Sequence, residues 1–197
     1  MSPHGIVLYG PPASGKDTVT AALHRLDPRF VLLPKLKAGT GRAEGYEFVT
    51  AERLEKLRGA GRLVAETHRY GNVYAVDRQT IDDMEAAGNV PVAHMGNIGD
   101  LRRLVGREPD LWLRVLLWIP REITEQRSTA RGDADTGKRL TAWDETLADL
   151  KANTDEGFFH LRIHTDRLSA DAAAKEIMTA YGRLRTAGRS REEACPP

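Results

Sequence analysis

Nine residues near the N-terminus combine glycine, lysine and hydroxyl groups at a spacing that suits phosphate binding. The segment 10–18 has the sequence GPPASGKDT, in which four residues separate two glycines and a lysine follows the second. Glycines let backbone amides turn inward around phosphate oxygens, and a helix that starts there adds the positive end of its dipole. Lys16 supplies a mobile positive charge for the β- and γ-phosphates. The segment therefore predicts a phosphate-binding loop (P-loop) for ATP. The candidate nucleotide-binding residues are Gly10, Pro11, Ala13, Ser14, Gly15, Lys16, Asp17 and Thr18.

One position of this loop departs from the usual pattern. Asp17 follows the lysine, where serine or threonine normally holds magnesium, and Thr18 comes one residue later. A carboxylate is a hard oxygen ligand, so we expect either Asp17 or Thr18 to contact Mg²⁺. The alternative is a glycine-rich turn that binds no nucleotide.

Three arginines far downstream could act on the same phosphates. Arg127 and Arg131 are four residues apart on a predicted helix and share one face, and Arg139 lies beyond a polar stretch that could hinge. Arginine forks suit phosphate oxygens better than lysine does. We expect a lid at about 127–139 whose arginines join Lys16 as catalytic residues. The alternative is a solvated charged helix, because acidic residues lie nearby.

The elements that must hold these groups alternate along the chain. Short apolar runs rich in β-branched residues are separated by amphipathic stretches, which predicts an α/β fold with a parallel core sheet and flanking helices. Residues 35–45 hold three glycines and predict a mobile loop. The predicted strands are 6–9, 30–33, 62–67, 73–76, 90–95, 112–119 and 160–164. The predicted helices are 15–26, 50 to about 60, 77–87, 121–130, 140–152 and 170–186.

Composition limits the other possibilities. The 197 residues fit one domain, predicted to span 1–187 with a flexible tail at 188–197, and a formal net charge of +1 gives no global attraction to nucleic acid or to an anionic membrane. Cys195 is the single cysteine, so an internal disulfide is excluded and a reducing cytoplasm is expected. The first apolar run is too short for a signal sequence or a membrane span.

Several segments in order resemble the guanylate-kinase-like nucleotide kinases over roughly residues 5–180. The segment 46–50, YEFVT, is similar to that family's Tyr-x-Phe-Val-Ser, and 71–74, GNVY, is similar to its Gly-Asn-x-Tyr turn. Ile119-Pro120 and the three arginines resemble the strand end and the lid. The resemblance implies a P-loop kinase with an acceptor-binding segment at about 35–76. It also implies γ-phosphoryl transfer from ATP, with Mg²⁺, to the phosphate of a small acceptor such as a nucleoside monophosphate.

The chain lacks the acidic residues that read guanine in that family. Ala65 stands at the usual strand glutamate, with Glu66 beside it, and His94-Met95-Gly96 replaces an Asp-x-Asp segment. This speaks against GMP as the acceptor. We expect Glu66 and His68 to face opposite sides of the predicted strand and not to form a pair.

A second resemblance points to another acceptor. The Gly-Lys-Asp ending of the P-loop, His68 and the segment 74–76, YAV, are similar to ribose 1,5-bisphosphate phosphokinases. A base-free acceptor requires positive charge rather than acidic base readers. The candidate acceptor-binding residues are Lys35, Lys37, Arg42, Tyr46, Glu66, His68, Arg69, Tyr74 and His94.

Two further classes of function are weaker alternatives. A guanylate-kinase-like domain can be a protein-binding module without catalysis, but such modules usually lose the P-loop residues that this chain keeps. A nucleic-acid end kinase would require a basic groove, which the net charge of +1 does not favour. The oligomeric state is not readable from the sequence.

Overall fold

A computed structural model describes residues 4–41, 43, 45–69, 71–106, 109–132 and 136–193, with the backbone alone for 69 and 187–193. The strands are β1 Gly5–Tyr9, β2 Phe30–Leu32, β3 Lys35–Ala38, β4 Tyr46–Phe48, β5 Leu63–Arg69, β6 Asn72–Asp77, β7 Val90–Met95, β8 Trp112–Trp118 and β9 Leu161–His164. The helices are α1 Lys16–Leu26, α2 Ala51–Gly59, α3 Arg78–Ala86, α4 Ile98–Val105, α5 Arg121–Ala130, α6 Thr136–Asn153 and α7 Ala170–Glu193.

Five parallel strands form the core sheet in the order β2-β7-β1-β8-β9. β1 lies in the middle, and its side chains alternate between two buried layers. Ile6 and Leu8 pack with α1 and α7, whereas Val7 and Tyr9 pack with α3 and α4. Both faces are covered, which explains the uninterrupted apolar sequence of this strand. The carboxyl ends of all five strands therefore meet at one edge, where ligands bind in sheets of this kind.

A smaller sheet of four strands, in the order β4-β3-β6-β5, carries the predicted acceptor segment. One face of this sheet buries Leu36 and Ala75 against Leu54 and Leu57 of α2. Because side chains alternate along a strand, Lys35 and Lys37 lie on the other face of β3. The small sheet thus presents basic side chains away from its apolar core.

The predicted α/β class is confirmed, and several local predictions hold. Thr50 caps α2 by accepting a hydrogen bond of 3.1 Å from the amide of Arg53. The strands β5 and β6 pair as a hairpin, and α3 stops before Gly88, whose φ is 76°. Among the described residues, no helix is both long enough and apolar enough to cross a bilayer.

Three local predictions are wrong, and one helix has no counterpart among the predicted elements. Residues 35–38, predicted as part of a mobile loop, form β3, because pairing with β4 and β6 outweighs the weak strand propensity of lysine. Helix α4 was not predicted; it starts where the Asn97 side chain accepts a hydrogen bond of 2.7 Å from the Asp100 amide. Helix α6 begins at Thr136 rather than Leu140, and α7 continues past Thr186 to Glu193. Residues 194–197 of the predicted tail, with Cys195, lie outside the described residues.

Two glycine-to-alanine substitutions test the packing of the core sheet. A Cβ added at Gly5 would lie 2.4 Å from the carbonyl oxygen of Pro91 and 2.8 Å from the ring of Trp112. Gly5→Ala should therefore lower the free energy of unfolding by about 1–3 kcal/mol through overpacking. Gly59→Ala is the control, because a Cβ there meets nothing within 4 Å, and it should leave stability unchanged or raise it by about 0.5 kcal/mol. Urea unfolding measures both; equal effects would contradict this packing.

Candidate active site

The P-loop leaves the central strand and enters α1 within a few residues. A Cβ at Gly10 would lie 2.1 Å from the carbonyl oxygen of Leu117, so only glycine allows the loop to turn this close to β8. Gly15 is the residue before α1 and has the left-handed conformation, with φ 86° and ψ 19°. The amides of the first three residues of α1, Lys16, Asp17 and Thr18, precede the first bond of the helix, in which the Val19 amide donates to the Gly15 carbonyl oxygen at 2.9 Å. The loop therefore places the start of α1 at the carboxyl edge of the core sheet.

Lys16 lies against the loop that precedes it. Its ammonium donates to the carbonyl oxygens of Gly10 (2.7 Å) and Pro11 (3.0 Å) and to the hydroxyl of Ser14 (3.3 Å). Ser14 is fully buried. The ammonium is therefore fixed inside the curve of the loop, next to the helix amides that attract anions.

A cavity of about 1010 Å³ connects the P-loop with the small sheet. It brings together most of the residues that the sequence singles out. From the P-loop these are Gly10, Ala13, Ser14, Gly15, Lys16, Asp17 and Thr18. From the acceptor segment, the end of β7 and the lid they are Lys35, Tyr46, His68, Tyr74, His94, Arg131 and Arg139. Nucleotide-binding, acceptor-binding and lid residues thus surround one space.

Some predicted site residues do not line this cavity. Among the residues with described side chains, these are Pro11, Lys37, Glu66 and Arg127. Arg42 and the side chain of Arg69 lie outside the described part of the chain. Three of these side chains, Lys37, Glu66 and Arg127, nonetheless contact residues that line the cavity.

Lys37 supports the two tyrosines of the acceptor face. Only 2% of the residue is exposed, and its ammonium lies 5.2 Å from the ring centre of Tyr46, 5.0 Å from that of Phe48 and 5.6 Å from that of Tyr74. The Tyr46 and Tyr74 ring centres are 5.2 Å apart. Cations are attracted to aromatic faces at these distances. Lys37 therefore adds positive charge directly behind two rings that line the cavity.

Lys35 brings a second ammonium to the cavity wall, 3.9 Å from the sulfur of Met95. Burial lowers the pKa of Lys35 to about 8, and the nearby charge of Asp100 opposes this shift. Asp100 is itself buried, and it accepts hydrogen bonds from Thr67, from Asn97 (2.6 Å) and from Arg103 (2.9 Å). The Asp100 carboxylate is therefore shared among three side chains that donate hydrogen bonds to it.

Glu66 and His68 form a pair, which corrects the expectation that they face opposite sides. Residues two positions apart on a strand share a face, and His68 Nε2 lies 2.7 Å from Glu66 Oε1. Arg58 of α2 donates to the same carboxylate at 2.9 Å. Burial alone would raise the pKa of Glu66, but the hydrogen bonds and charges of His68 and Arg58 lower it overall. Glu66 thus orients His68 at the cavity.

Arg127 contacts the loop and not the cavity. Its guanidinium donates to the carbonyl oxygens of Ala13 (2.9 Å) and Thr165 (2.7 Å). Arg131, one turn further on, is exposed and lines the cavity, as does Arg139. Of the three predicted lid arginines, Arg131 and Arg139 therefore line the cavity and Arg127 does not.

The residues beside Lys16 could complete the coordination of a magnesium ion. Asp17 has 68% of its side chain exposed, and His94 lies against the first turns of α1, with Nδ1 3.5 Å from the Asp17 carboxylate and Nε2 2.8 Å from the Thr20 hydroxyl. The described residues contain no group of three His, Cys, Asp or Glu side chains that could hold a metal by themselves. This donor set fits Mg²⁺ held by nucleotide phosphates and one protein oxygen, from Asp17 or Thr18.

Asp149 is a cavity residue that sequence reasoning missed. Its carboxylate accepts hydrogen bonds of 2.8 Å from the Tyr9 hydroxyl, from the Ile98 amide and from Asn153. Burial raises the pKa of Tyr9, and the bond to Asp149 adds to this. Asp149 therefore fastens α6, the helix after the lid, to the end of β1 and the start of α4. No local signal marks such a contact between residues 140 positions apart.

Comparison with known proteins identifies relatives by sequence. No family model matches the chain. A guanylate kinase from Anaeromyxobacter dehalogenans is 27% identical over 196 residues, which cover 96% of this chain and 85% of the relative. A guanylate kinase from Frankia casuarinae is 28% identical over 186 residues, with 90% and 98% covered. A guanylate kinase from Symbiobacterium thermophilum is 30% identical over 132 residues, with 64% and 62% covered.

Solved structures support the same fold. The guanylate kinase from Anaplasma phagocytophilum superposes with a TM-score of 0.63 at 15% identity, covering 92% of this chain and 85% of that one. A gluconokinase from Sinorhizobium meliloti gives a TM-score of 0.50 at 16% identity, with 96% and 97% covered. The sequence relatives, this fold and the P-loop geometry together support a guanylate-kinase-like P-loop kinase that uses ATP.

The depressed pKa of Lys35 predicts a pH-dependent stability difference. The folded protein holds the Lys35 pKa at about 8, whereas an unfolded lysine has its ordinary value of 10.5. The unfolded chain therefore binds more protons across this interval, and the contribution of Lys35 to stability rises as the pH rises through it. Lys35→Met should be more stable than wild type below pH 8, and the difference should shrink toward pH 10.5.

Thermal unfolding at several pH values measures this difference. Lys56→Met is the control, because Lys56 forms an exposed pair with Glu52 on α2. A stability difference for Lys35→Met that stays constant with pH would contradict the lowered pKa of Lys35.

Proposed function

We propose that this kinase transfers the γ-phosphate of ATP to a phosphate group on a small acceptor, with a nucleoside monophosphate other than GMP as the first candidate. The observation that carries this proposal is the single cavity that joins the P-loop, the two lid arginines and the small sheet. A phosphate acceptor is already anionic and requires little help from a general base. The protein's task is then alignment and neutralisation of charge.

Each part of the cavity has a distinct task in this reaction. Lys16 and the first amides of α1 bind the β- and γ-phosphates of ATP. Arg131 and Arg139 approach the transferred group from the lid and stabilise the charge on its oxygens. Mg²⁺, when bound, screens the phosphates, and Asp17 or Thr18 would hold it. The acceptor phosphate would lie over Tyr46 and Tyr74, backed by the buried charge of Lys37.

The acceptor half of the cavity argues against guanine. The small sheet and the end of β7 contribute Lys35, Tyr46, His68, Tyr74 and His94 to the lining, whereas the lining carboxylates, Asp17, Glu145 and Asp149, come from α1 and α6. Glu66, which follows the position where that family has its strand glutamate, is bound to Arg58 and His68. The relatives are guanylate kinases, but this chain has basic groups where an acidic reader of guanine is needed. We therefore expect GMP to be a poor acceptor.

The same basic face favours a second candidate, a sugar carrying phosphate groups, of the ribose 1,5-bisphosphate type. Such an acceptor has no base to recognise and more negative charge to neutralise. Lys35, with its ammonium at the cavity wall, and His68, oriented by Glu66, fit that requirement. A screen of ADP release with nucleoside monophosphates and sugar phosphates separates the two candidates. The absence of turnover with any phosphorylated acceptor would contradict both candidates.

Substitutions in the P-loop and in the lid should change different kinetic quantities. Lys16→Ala should abolish turnover, because it removes the charge at the β- and γ-phosphates. Arg131→Ala should lower kcat by about 100-fold while ATP affinity changes by less than about fivefold, because this arginine acts chiefly on the transition state. Steady-state kinetics and ATP titration measure both variants. Full activity of Lys16→Ala with the best acceptor would show that the mechanism is wrong.

Lys35 should affect the acceptor alone. Lys35→Met should raise the acceptor KM by about tenfold or more, because a charge-assisted contact is worth about 1.5–3 kcal/mol, and it should leave the ATP KM unchanged. In wild type the acceptor KM should rise above pH 8, where the ammonium loses its proton. Lys35→Met should lack that limb of the pH profile; if the limb persists unchanged, Lys35 does not contact the acceptor.

A further inference from the structure

The outer side of the P-loop is tied to two side chains that come from distant parts of the sequence. Arg127 of α5 donates to the carbonyl oxygen of Ala13 at 2.9 Å. The hydroxyl of Thr165, the residue after β9, donates to the carbonyl oxygen of Ser14 at 2.9 Å. Neither Arg127 nor Thr165 lines the cavity, although both loop residues do. The two carbonyls are therefore held on the side of the loop away from the cavity.

The geometry of the peptide bond gives these contacts a consequence for anion binding. In a trans peptide, the carbonyl of one residue and the amide of the next point in opposite directions, and the described residues contain no cis peptide. Fixing the carbonyl of Ala13 aims the amide of Ser14 the other way, and fixing the carbonyl of Ser14 does the same for the amide of Gly15. The Ser14 amide makes only a long bond, 3.3 Å, to Pro11.

The two bracing side chains are themselves well supported. Arg127 also donates to the carbonyl oxygen of Thr165 at 2.7 Å, so the contacts form one small network. Thr165 continues the pairing of β8 with β9, because its amide donates to the Trp118 carbonyl oxygen at 3.0 Å. On either side of Arg127, Thr124 and Ser128 are fully buried and hold α5 in place. The loop is therefore fastened to rigid elements.

The loop has reason to require such support. Ala13 has φ 60°, the one non-glycine residue with a positive φ in the part of the chain that the structure describes. A non-glycine residue in this region is strained and persists only where its surroundings hold it. The Arg127 bond is made to the carbonyl of this same residue.

We propose that Arg127 and Thr165 are positioning residues of the P-loop, which hold its carbonyls outward and so present its amides to the triphosphate of the nucleotide. Arg127 then acts on nucleotide affinity through the loop and does not touch the transferred phosphate. The proposal rests on the proposed function of the loop as the ATP site. It separates Arg127 from Arg131, although the two are only four residues apart, Arg127 in the last turn of α5 and Arg131 just after its end.

The test compares two ligands that share a chain of three phosphates, of which only ATP carries a nucleoside. Mg·ATP and magnesium tripolyphosphate are titrated calorimetrically into wild type and into Arg127→Gln. If Arg127 holds the loop amides in place, Arg127→Gln should raise the Kd of both ligands by about tenfold or more. The value of kcat at saturating ATP should stay within about threefold of wild type. Arg121→Gln is the matched control on α5, because Arg121 pairs with Asp144 at the surface, and it should leave both values of Kd unchanged.

A second pair of variants tests the brace without removing a charge. Thr165→Val keeps the shape but loses the hydroxyl, and it should raise both values of Kd by about fivefold or more; Thr165→Ser should restore them. Effects of Arg127→Gln and Thr165→Val should be non-additive, because the two side chains share a network. This pair decides the question if Arg127→Gln does not fold.

Other outcomes would overturn the proposal. If Arg127→Gln lowers kcat but leaves both values of Kd unchanged, Arg127 is a ligand of the transferred phosphate. If ATP binding weakens and tripolyphosphate binding does not, Arg127 serves the base. If wild type binds neither ligand, the proposed function itself fails; if wild type binds both and the variants bind equally well, the brace alone is wrong.

Discussion

The structure depends on one electrostatic arrangement, the meeting of backbone amides and the Lys16 ammonium at the start of α1. That point lies at the carboxyl end of the central strand of a parallel sheet. Gly10 turns against β8, and Gly15 starts the helix in a conformation that other residues avoid. The ammonium is held by the loop's own carbonyls. The cavity, the lid arginines and the small sheet are all placed around this concentration of positive charge.

The acceptor side extends the same principle with side chains. The small sheet buries its apolar face against α2 and presents basic groups on the other face. Lys37 is hidden behind two tyrosines, and Lys35 lies at the cavity wall with a lowered pKa. Glu66, an acid on β5, accepts a hydrogen bond from His68 and so orients that ring. These basic groups are the basis for the proposal of a phosphorylated acceptor.

Short-range patterns in the sequence predicted much of this. The P-loop, its flanking strand and helix, the hairpin β5–β6 and the cap at Thr50 depend on residues close together in the chain, so local chemistry reveals them. The segment 35–38 was predicted as a loop because lysine and glycine dominate its surroundings, whereas pairing with two other strands makes it β3. The pairing of Glu66 with His68 was missed through a wrong assignment of strand faces, although the spacing of two residues indicates it.

Long-range contacts could not be predicted from the sequence. Arg127 and Arg131 have the same spacing signal, yet one contacts the Ala13 carbonyl and the other lines the cavity. Asp149 and Thr165 gain their roles from partners 140 and 151 positions away, and nothing near them in sequence marks those contacts. Residue type and spacing thus identify the chemistry that is present, whereas the fold decides which of two similar side chains lines the cavity.

The central claim is that phosphates, rather than the base, are what the P-loop binds. Titration of the wild-type protein with Mg·ATP, Mg·ADP and adenosine, followed by calorimetry, tests it most directly. The account predicts measurable binding of ATP and ADP and at least about 100-fold weaker binding of adenosine, since charge-assisted contacts to phosphate supply most of the affinity. Adenosine binding as tightly as ATP, or no heat with ATP at millimolar concentration, would contradict it.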